Sequence, residues 1–319
     1  MIQSKHFFME NVASLWDSAV SDWSLERPFV EYREDFNDQY AYYAELAETY
    51  GLNLLLAHYT WYSDGVLKKG FVYNDGWEKV HDIELDGVWD AFKVNPETMK
   101  IKKEMAENLT IINLPEIDQL AKDKLETYNF FPELVPETKK ASKQNVKSML
   151  DRDGKTVLKP RDDASGRGVK VIDSISEFEE DMEDYLVQEF IDSTQGVPGL
   201  EIDGVHDLRA VLVSGNFVTG FVRQPEEGYI SNVARGAEID VLEKDDFPDE
   251  AVELVEKVIS ELEDYNPHLL TADMIYDYES EEFKLIELNS KPGMSFYGRQ
   301  DLKRAKTLIA EQLFREFSR

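Results

Sequence analysis

The sequence predicts a mixed fold, α/β in an N-terminal lobe over residues 1–109 and α+β in a larger module over residues 110–319. Three observations carry this expectation. Strand-like and helical stretches alternate near the N-terminus; the texture shifts at Thr110 to a short apolar strand followed by helices; and beyond Thr156 strands dominate, each carrying a polar residue at its end.

Within the lobe, residues 29–32 read as a short strand and residues 36–50 as a helix closed by Gly51, a natural helix C-terminus. Residues 52–57 follow as a buried strand. Residues 66–73 and 77–85 flank Asn74-Asp75-Gly76 and predict a hairpin, because an Asp-Gly turn supplies the positive φ such connections need. A strand at 88–92 and a helix at 96–108 complete the lobe. In the module, 110–114 reads as a strand and 117–128 as a helix; Pro132 and Pro136 break the chain before a helix at 142–150.

Composition narrows the chemistry. The 319 residues carry 35 Lys and Arg against 65 Asp and Glu, a net charge of −30, which argues against a nucleic-acid binder driven by phosphate neutralisation. The acidic residues are spread along the chain, as on a solvated surface. With no cysteine there is no disulfide, thiolate nucleophile or Cys-ligated zinc. The N-terminus lacks the apolar block of a signal peptide, and no run approaches the ~20 apolar residues of a membrane span, so a cytoplasmic protein without membrane partners is expected.

Residues 156–160 read as a strand closed by Pro160, followed by the loop 161–168 and a second strand at 169–172. Neither GxxxxGK[ST] nor GxGxxG occurs here. Glycines Gly166 and Gly168, with Ser165, can still aim backbone N–H groups at a phosphate while Lys159 supplies a point charge; the same glycines also suit a plain flexible hairpin. Asp162 and Asp163 have to face solvent for a triphosphate to lie there.

The strands 269–277 and 283–289 are joined by a polar turn, and symmetry about Ser280 places Asp273 directly across from Glu287. Asn289, two residues on, shares their face, while Ala272, Met274, Ile286 and Leu288 form an apolar face for burial. Two carboxylates and an amide oxygen on one face suit a hard cation, with Mg²⁺ the economical choice and Mn²⁺ an alternative. The competing reading is that Glu287 and Asn289 merely end a strand before Lys291-Pro292-Gly293.

Residues 186–191 form a further strand expectation, and strands at 206–214 and 217–223 meet at the turn Ser214-Gly215-Asn216. That turn brings Arg209 and Arg223 toward one sheet end, where guanidinium groups can disperse charge on a transferred phosphoryl group. By themselves the two arginines are also compatible with surface charges on an acidic protein.

In order, Asp123-Lys124, Val157-Leu158-Lys159-Pro160 with its glycine loop, residues 186–191, Asp207-Leu208-Arg209, Arg223, Asn232, Asp273 and Glu287-Leu288-Asn289 resemble the ATP-grasp superfamily. The likeness is to the branch of glutathione synthetase and the ribosomal-protein glutamate ligases, and covers residue 110 to the C-terminus. It implies a pre-ATP-grasp α/β lobe followed by a two-subdomain ATP-grasp module, with a central or lid subdomain over 110–190 and a metal- and phosphate-binding subdomain over 191–319. It further implies that Lys124 and Lys159 contact phosphates, that Glu189, Phe190 and Ile191 form the adenine hinge, and that Asp207 approaches the ribose. Asn232 would contact phosphates, Asp273, Glu287 and Asn289 would hold one or two Mg²⁺, and Arg209 and Arg223 would stabilise the transferred phosphoryl group. Arg235 would orient a carboxylate substrate.

The sequence departs from the family pattern at Ala164, at Asp162 and Asp163, at Gly236-Ala237 and in the longer excursion at 193–205. The activity the resemblance implies is ATP- and Mg²⁺-dependent joining of a carboxylate to an amine through an acylphosphate, on an amino acid, peptide or protein. A kinase phosphorylating a small-molecule hydroxyl and a non-catalytic ATP-binding regulator are the alternatives.

Overall fold

The computed structural model describes residues 9–29, 34–162, 167–179, 182, 184–202, 204–225 and 238–319. The chain groups into two compact units. The first comprises residues 1–115, 265–269 and 291–319, and the second residues 116–264 and 270–290. The tract 110–319 is therefore shared between the units, its C-terminal stretch grouping with the N-terminal residues.

In the first unit, β1 (Glu10–Trp16) leads to helix α1 (Glu34–Glu48) and β2 (Leu52–His58). Short strands follow: β3 (Tyr62–Ser63), β4 (Val66–Leu67), β5 (Gly70–Tyr73), β6 (Trp77–Val80), β7 (Ile83–Glu84) and β8 (Gly87–Asp90). Helix α2 (Pro96–Asn108) and β9 (Thr110–Ile112) come next. A six-stranded sheet has the order β6-β5-β2-β1-β8-β9. Its four strands β2, β1, β8 and β9 are parallel, and β5 and β6 extend it antiparallel. The near-continuous apolar run of β2, Leu54, Leu55 and Leu56, is what a parallel strand buried on both faces requires. A separate three-stranded sheet has the order β3-β4-β7.

Helix α2 starts where its sequence dictates: the Asn95 side chain caps Glu97 N and Thr98 N, Thr98 answers in a capping box, and Pro96 opens the first turn. Helix α1 ends before Gly51, whose φ is +76°. The C-terminal helix, Gln300–Phe317, packs with α1 in this unit.

Several expectations are corrected. The strand β1 was not anticipated, and Phe29 is a buried residue outside any strand; residues 30–33 lie outside the described residues. Only β5 and β6 form the hairpin around Asn74-Asp75-Gly76, because β4 and β7 pair in the smaller sheet. The helix expected at 117–128 is two helices, α3 (Pro115–Lys122) and α4 (Lys124–Phe130). The break is local chemistry: Asp123 takes an extended conformation and caps Leu125 N and Glu126 N with its carboxylate.

The second unit continues with β10 (Thr138–Lys140), α5 (Lys143–Asp153), β11 (Thr156–Pro160), β12 (Lys170–Ile172) and β13 (Tyr185–Glu189). These strands form a four-stranded antiparallel sheet, β10-β13-β11-β12. Helix α5 contributes Val146 and Met149 to a core with Leu158, Ile172, Met182 and Val187.

Then come β14 (Asp207–Val213), β15 (Asn216–Gln224), β16 (Glu238–Leu242), α6 (Asp249–Glu261), β17 (Leu269–Asp277) and β18 (Glu282–Asn289). Their five-stranded sheet runs β16-β15-β14-β17-β18, and α6 packs against β18 through a face that buries Ala251, Leu254, Val255 and Val258. The turn from β14 to β15 uses Ser214 at φ +45° and Gly215 at φ +78°. No described helix is long and apolar enough to cross a membrane.

Candidate active site

The polar face of the five-stranded sheet is built by alternation. Asp207 and Arg209 are two apart on β14, and Arg223 on β15 stands directly opposite Asp207. On the neighbouring pair, Asp273 lies opposite Glu287 and Thr271 opposite Asn289, as the symmetry about Ser280 required for the first pair. A bulge separates Asp273 from Met274, so that Met274 faces Leu285 and Ile286 is left unpaired. Leu285 therefore takes the buried position expected of Ile286, which is only half-buried.

The charged groups on this face are tightly joined. Arg209 forks Asp273 through Nε and Nη2, both at 2.6 Å. Arg223 forks Asp207 at 2.6 and 2.7 Å, and its Nη2 also donates to Asp273 Oδ2 at 2.7 Å. Burial pushes the Asp273 carboxyl upward, but the two guanidinium groups outweigh it and hold it below the usual carboxylate range. Burial dominates at Asp207, which is pushed up to about 6 against the pull of Arg223. Arg223 is held firmly charged: Asp273 and Asp207 overcome the effect of its own burial.

The four-stranded sheet supplies Lys159, and helix α4 supplies Lys124. Lys159 Nζ on β11 donates to Gln188 Oε1 on β13 at 2.8 Å and to the carbonyl of Ile286, at the bulge, at 3.4 Å. Burial first, and then the nearby Lys124 charge, lower Lys159 to about 7, with Glu287 opposing. Lys124 opens α4 and sits 3.5 Å from Glu287 Oε1. Its place is fixed from below, since Lys124 N donates to the carbonyl of Arg161 and Arg161 forks Asp123, Nη2 lying 2.6 Å from Oδ2. Lys124, Lys159, Glu287, Asp273, Arg209, Arg223 and Asp207 thus all lie in the second unit.

Two contributors were not singled out from sequence. Gln188 interrupts an apolar strand and is buried, so it needs partners, and it finds Lys159 on one side and Thr138 Oγ1 at 2.8 Å on the other. Arg161 immediately follows Lys159-Pro160 and pairs 38 residues back along the chain.

Of the remaining candidates, Gly168 has φ +71°, and a Cβ there would stand 2.7 Å from the Tyr185 hydroxyl, so glycine is required. Glu189 ends β13 and accepts from Glu137 N; Phe190 and the buried Ile191 follow directly, with Lys155 Nζ 5.4 Å from the Phe190 ring centroid. Ser165, Gly166, Asn232 and Arg235 lie outside the described residues.

Among the described residues there is no group of three or more His, Asp or Glu able to hold a metal; the candidate set is two carboxylates and an amide. That set fits a hard cation. Asp273 and Glu287 are cross-strand neighbours and both present carboxylate oxygen, although Lys124 stands at Glu287 and Arg209 and Arg223 engage both oxygens of Asp273. A dication arriving at Asp273 has to share or displace the guanidinium contacts.

One sheet bears Lys159, with Lys124 beside it on α4, and the other bears an arginine–carboxylate face, the charge pattern that a phosphate-handling module requires. A family model described as an ATP-grasp domain matches residues 121–295, more than half of the sequence, and the chain belongs to the ATP-grasp family. With the family come ATP and Mg²⁺ as cofactors and ADP-forming C–N ligation as the class of chemistry.

Solved structures share the fold across nearly the whole chain. D-alanyl-alanine synthetase A from Vibrio cholerae superposes with a TM-score of 0.62 at 13% identity, covering 98% of this chain and 99% of that one. The ATP-grasp ligase PsnB, solved with a minimal precursor, gives 0.58 at 12% identity, covering 95% and 99%. A RimK domain ATP-grasp protein from Sphaerobacter thermophilus gives 0.57 at 15% identity, covering 94% and 98%. A search of curated proteins finds no match to the chain.

Proposed function

We propose that this protein is a carboxylate–amine ligase that activates an amino acid, peptide or protein carboxylate as an acylphosphate. The observation that carries the reading is the Arg209–Asp273–Arg223 cluster facing Glu287. Family membership and the named activities of D-alanyl-alanine synthetase and the ligase PsnB support it.

In this reading a substrate carboxylate oxygen attacks the γ-phosphorus as the bond to the β,γ-bridging oxygen breaks and ADP leaves. An amine then attacks the acyl carbon, phosphate departs, and the amine proton is released. Positioning and charge stabilisation carry such a transfer without a protein nucleophile. Arg209 and Arg223 disperse charge on the transferring group, while Lys124 and Lys159 hold phosphates. Asp273, Glu287 and Asn289 would hold Mg²⁺, which when bound neutralises phosphate charge. Residues Glu189 to Ile191 serve adenine.

Lys159 gives this reading a proton signature. Burial lowers it to about 7 in the free protein, so above neutral pH its ammonium form is depleted. A phosphate placed beside it favours the ammonium form. ATP binding at pH 8 should therefore take up a proton, up to about one per site, measured by calorimetry in buffers of different ionisation enthalpy. Lys159→Met should remove that uptake. The same shift acts on folding: between pH 7 and the ordinary lysine range the unfolded chain binds more protons at this site, so the contribution of Lys159 to stability rises with pH there.

The function is tested by ADP release with Mg²⁺ and ATP against pooled amino acids, dipeptides and small carboxylic acids, with mass spectrometry of the products. A new mass equal to two pool members less water, formed with ADP, is the expected result. A stable phosphorylated hydroxyl compound would establish a kinase.

A further inference from the structure

Asp207 matches the family position implied to approach the ribose, yet its carboxylate is committed within the protein. Both oxygens are engaged by one guanidinium, Oδ1 with Arg223 Nε at 2.6 Å and Oδ2 with Nη2 at 2.7 Å. The two residues are direct cross-strand partners, and both side chains are largely shielded from water. A side-on fork of this kind, through Nε and Nη2, fixes the plane of the guanidinium as well as its position.

We propose that Asp207 is a positioning residue that acts through Arg223, keeping that guanidinium in place on the sheet, and that it does not bind the ribose of ATP. The network makes the two arginines unequal. Arg223 is shared between Asp207 and Asp273, whereas the ion pair of Arg209 among the described residues is with Asp273. When a cation or phosphoryl group competes at Asp273, Arg223 keeps its fork to Asp207 and stays placed, and Arg209 is the arginine released to follow the moving charge. Without Asp207, Arg223 shares the single carboxylate of Asp273 with Arg209, and one buried and one partly buried guanidinium group depend on one counter-charge. The electrostatics agree, because the strong upward pull on Arg223 comes from Asp273 and Asp207 together.

The inference rests on the ligase reading for its rate measurements; its binding measurements do not depend on it. Asp207→Asn and Asp207→Glu are compared with the wild-type chain in thermal melts, in calorimetric binding of ATP and 3′-deoxy-ATP with Mg²⁺, and in ADP formation. If Asp207 acts through Arg223, Asp207→Asn binds ATP within about twofold of wild type and keeps the wild-type ratio of affinities for ATP and 3′-deoxy-ATP, while kcat falls about tenfold or more. Adding Asp207→Asn to Arg223→Lys should then slow the enzyme little beyond Arg223→Lys alone, because both changes disturb one unit.

About a tenfold loss in ATP affinity, together with loss of the discrimination against 3′-deoxy-ATP, would identify a ribose contact and overturn the proposal. An unchanged kcat overturns it equally. Should Asp207→Asn fail to fold, Asp207→Glu, which retains the charge but displaces the fork by a methylene, is expected to give the same separation of kcat from affinity. If the wild-type chain forms no ADP with any substrate pool, the ligase reading fails, and the affinity comparison still decides against or for a ribose contact.

Discussion

Asparagine in place of Asp273 is expected to reduce ADP formation by roughly 10²–10³-fold, the scale seen when a charge-stabilising group is removed from a transition state. Asp273 is the point where the network converges. It receives Arg209 and Arg223 directly, and it stands across from Glu287 on the face proposed to hold Mg²⁺. Substitution removes one of two anionic oxygen donors for the cation, leaves Arg223 with Asp207 and takes from Arg209 its ion pair with Asp273. Two readouts separate these effects. The Mg²⁺ concentration for half-maximal rate should rise sharply, and it should do so in Glu287→Gln as well. In Arg209→Lys, where the carboxylates remain, the rate should fall without a comparable rise in the Mg²⁺ requirement. Normal ADP formation by both Asp273→Asn and Glu287→Gln would remove the metal assignment. The fold is checked by far-UV circular dichroism, since Asp273 is only 3% exposed and buried ion pairs resist the loss of one partner.

The pairing of Asp273 with Glu287 was legible because a hairpin converts sequence spacing into position. Its register nevertheless depends on a compensation the spacing did not reveal. The turn pairs Asp277 with Glu282, one residue off symmetry about Ser280, and the bulge at Ile286 restores the offset so that Asp273 meets Glu287. The bulge also turns the Ile286 carbonyl toward Lys159, which relates the irregularity to the site. The convergence of Arg209 and Arg223 was suggested by their distances from the turn at Gly215. Their common target was not, because Asp273 lies 64 and 50 residues beyond them and the contact exists only once β14 and β17 are neighbours in the sheet. The strand β1 escaped for a different reason. Its sequence, Glu10 to Trp16, carries Asn11 and Ser14 within an apolar run; Ser14 is fully buried, and its hydroxyl accepts from the Trp16 indole at 3.1 Å. A polar residue satisfied by its own neighbour gives no outward sign that it belongs in a core.

Asp90 presents the same difficulty with a larger energetic consequence. It ends β8 in the first unit with its side chain fully buried, and it receives Lys102 at 2.7 Å, Lys291 at 2.6 Å and the backbone N–H of Asn113 at 2.8 Å. Lys102 is also fully buried, although on α2 it reads as one of several surface lysines. The Asn113 side chain in turn pairs with both backbone groups of Leu269, so Asp90 anchors a node that extends to Leu269 within the first unit. Removing one partner of a buried pair strands the other charge, and Asp90→Ala is expected to lose about 3–5 kcal/mol of stability. Replacing both charges is the gentler change: Asp90→Asn with Lys102→Met should recover much of that loss, because burying a neutral pair avoids the desolvation penalty that makes the single change severe. Urea unfolding of the two variants measures the difference as a shift in midpoint at constant slope. If Asp90→Ala shifts the midpoint no more than an exposed helical substitution such as Glu256→Ala does, the buried triad contributes nothing to stability. If the double variant is no better than Asp90→Ala, the contact of Asp90 with Lys291 and Asn113 outweighs its pairing with Lys102.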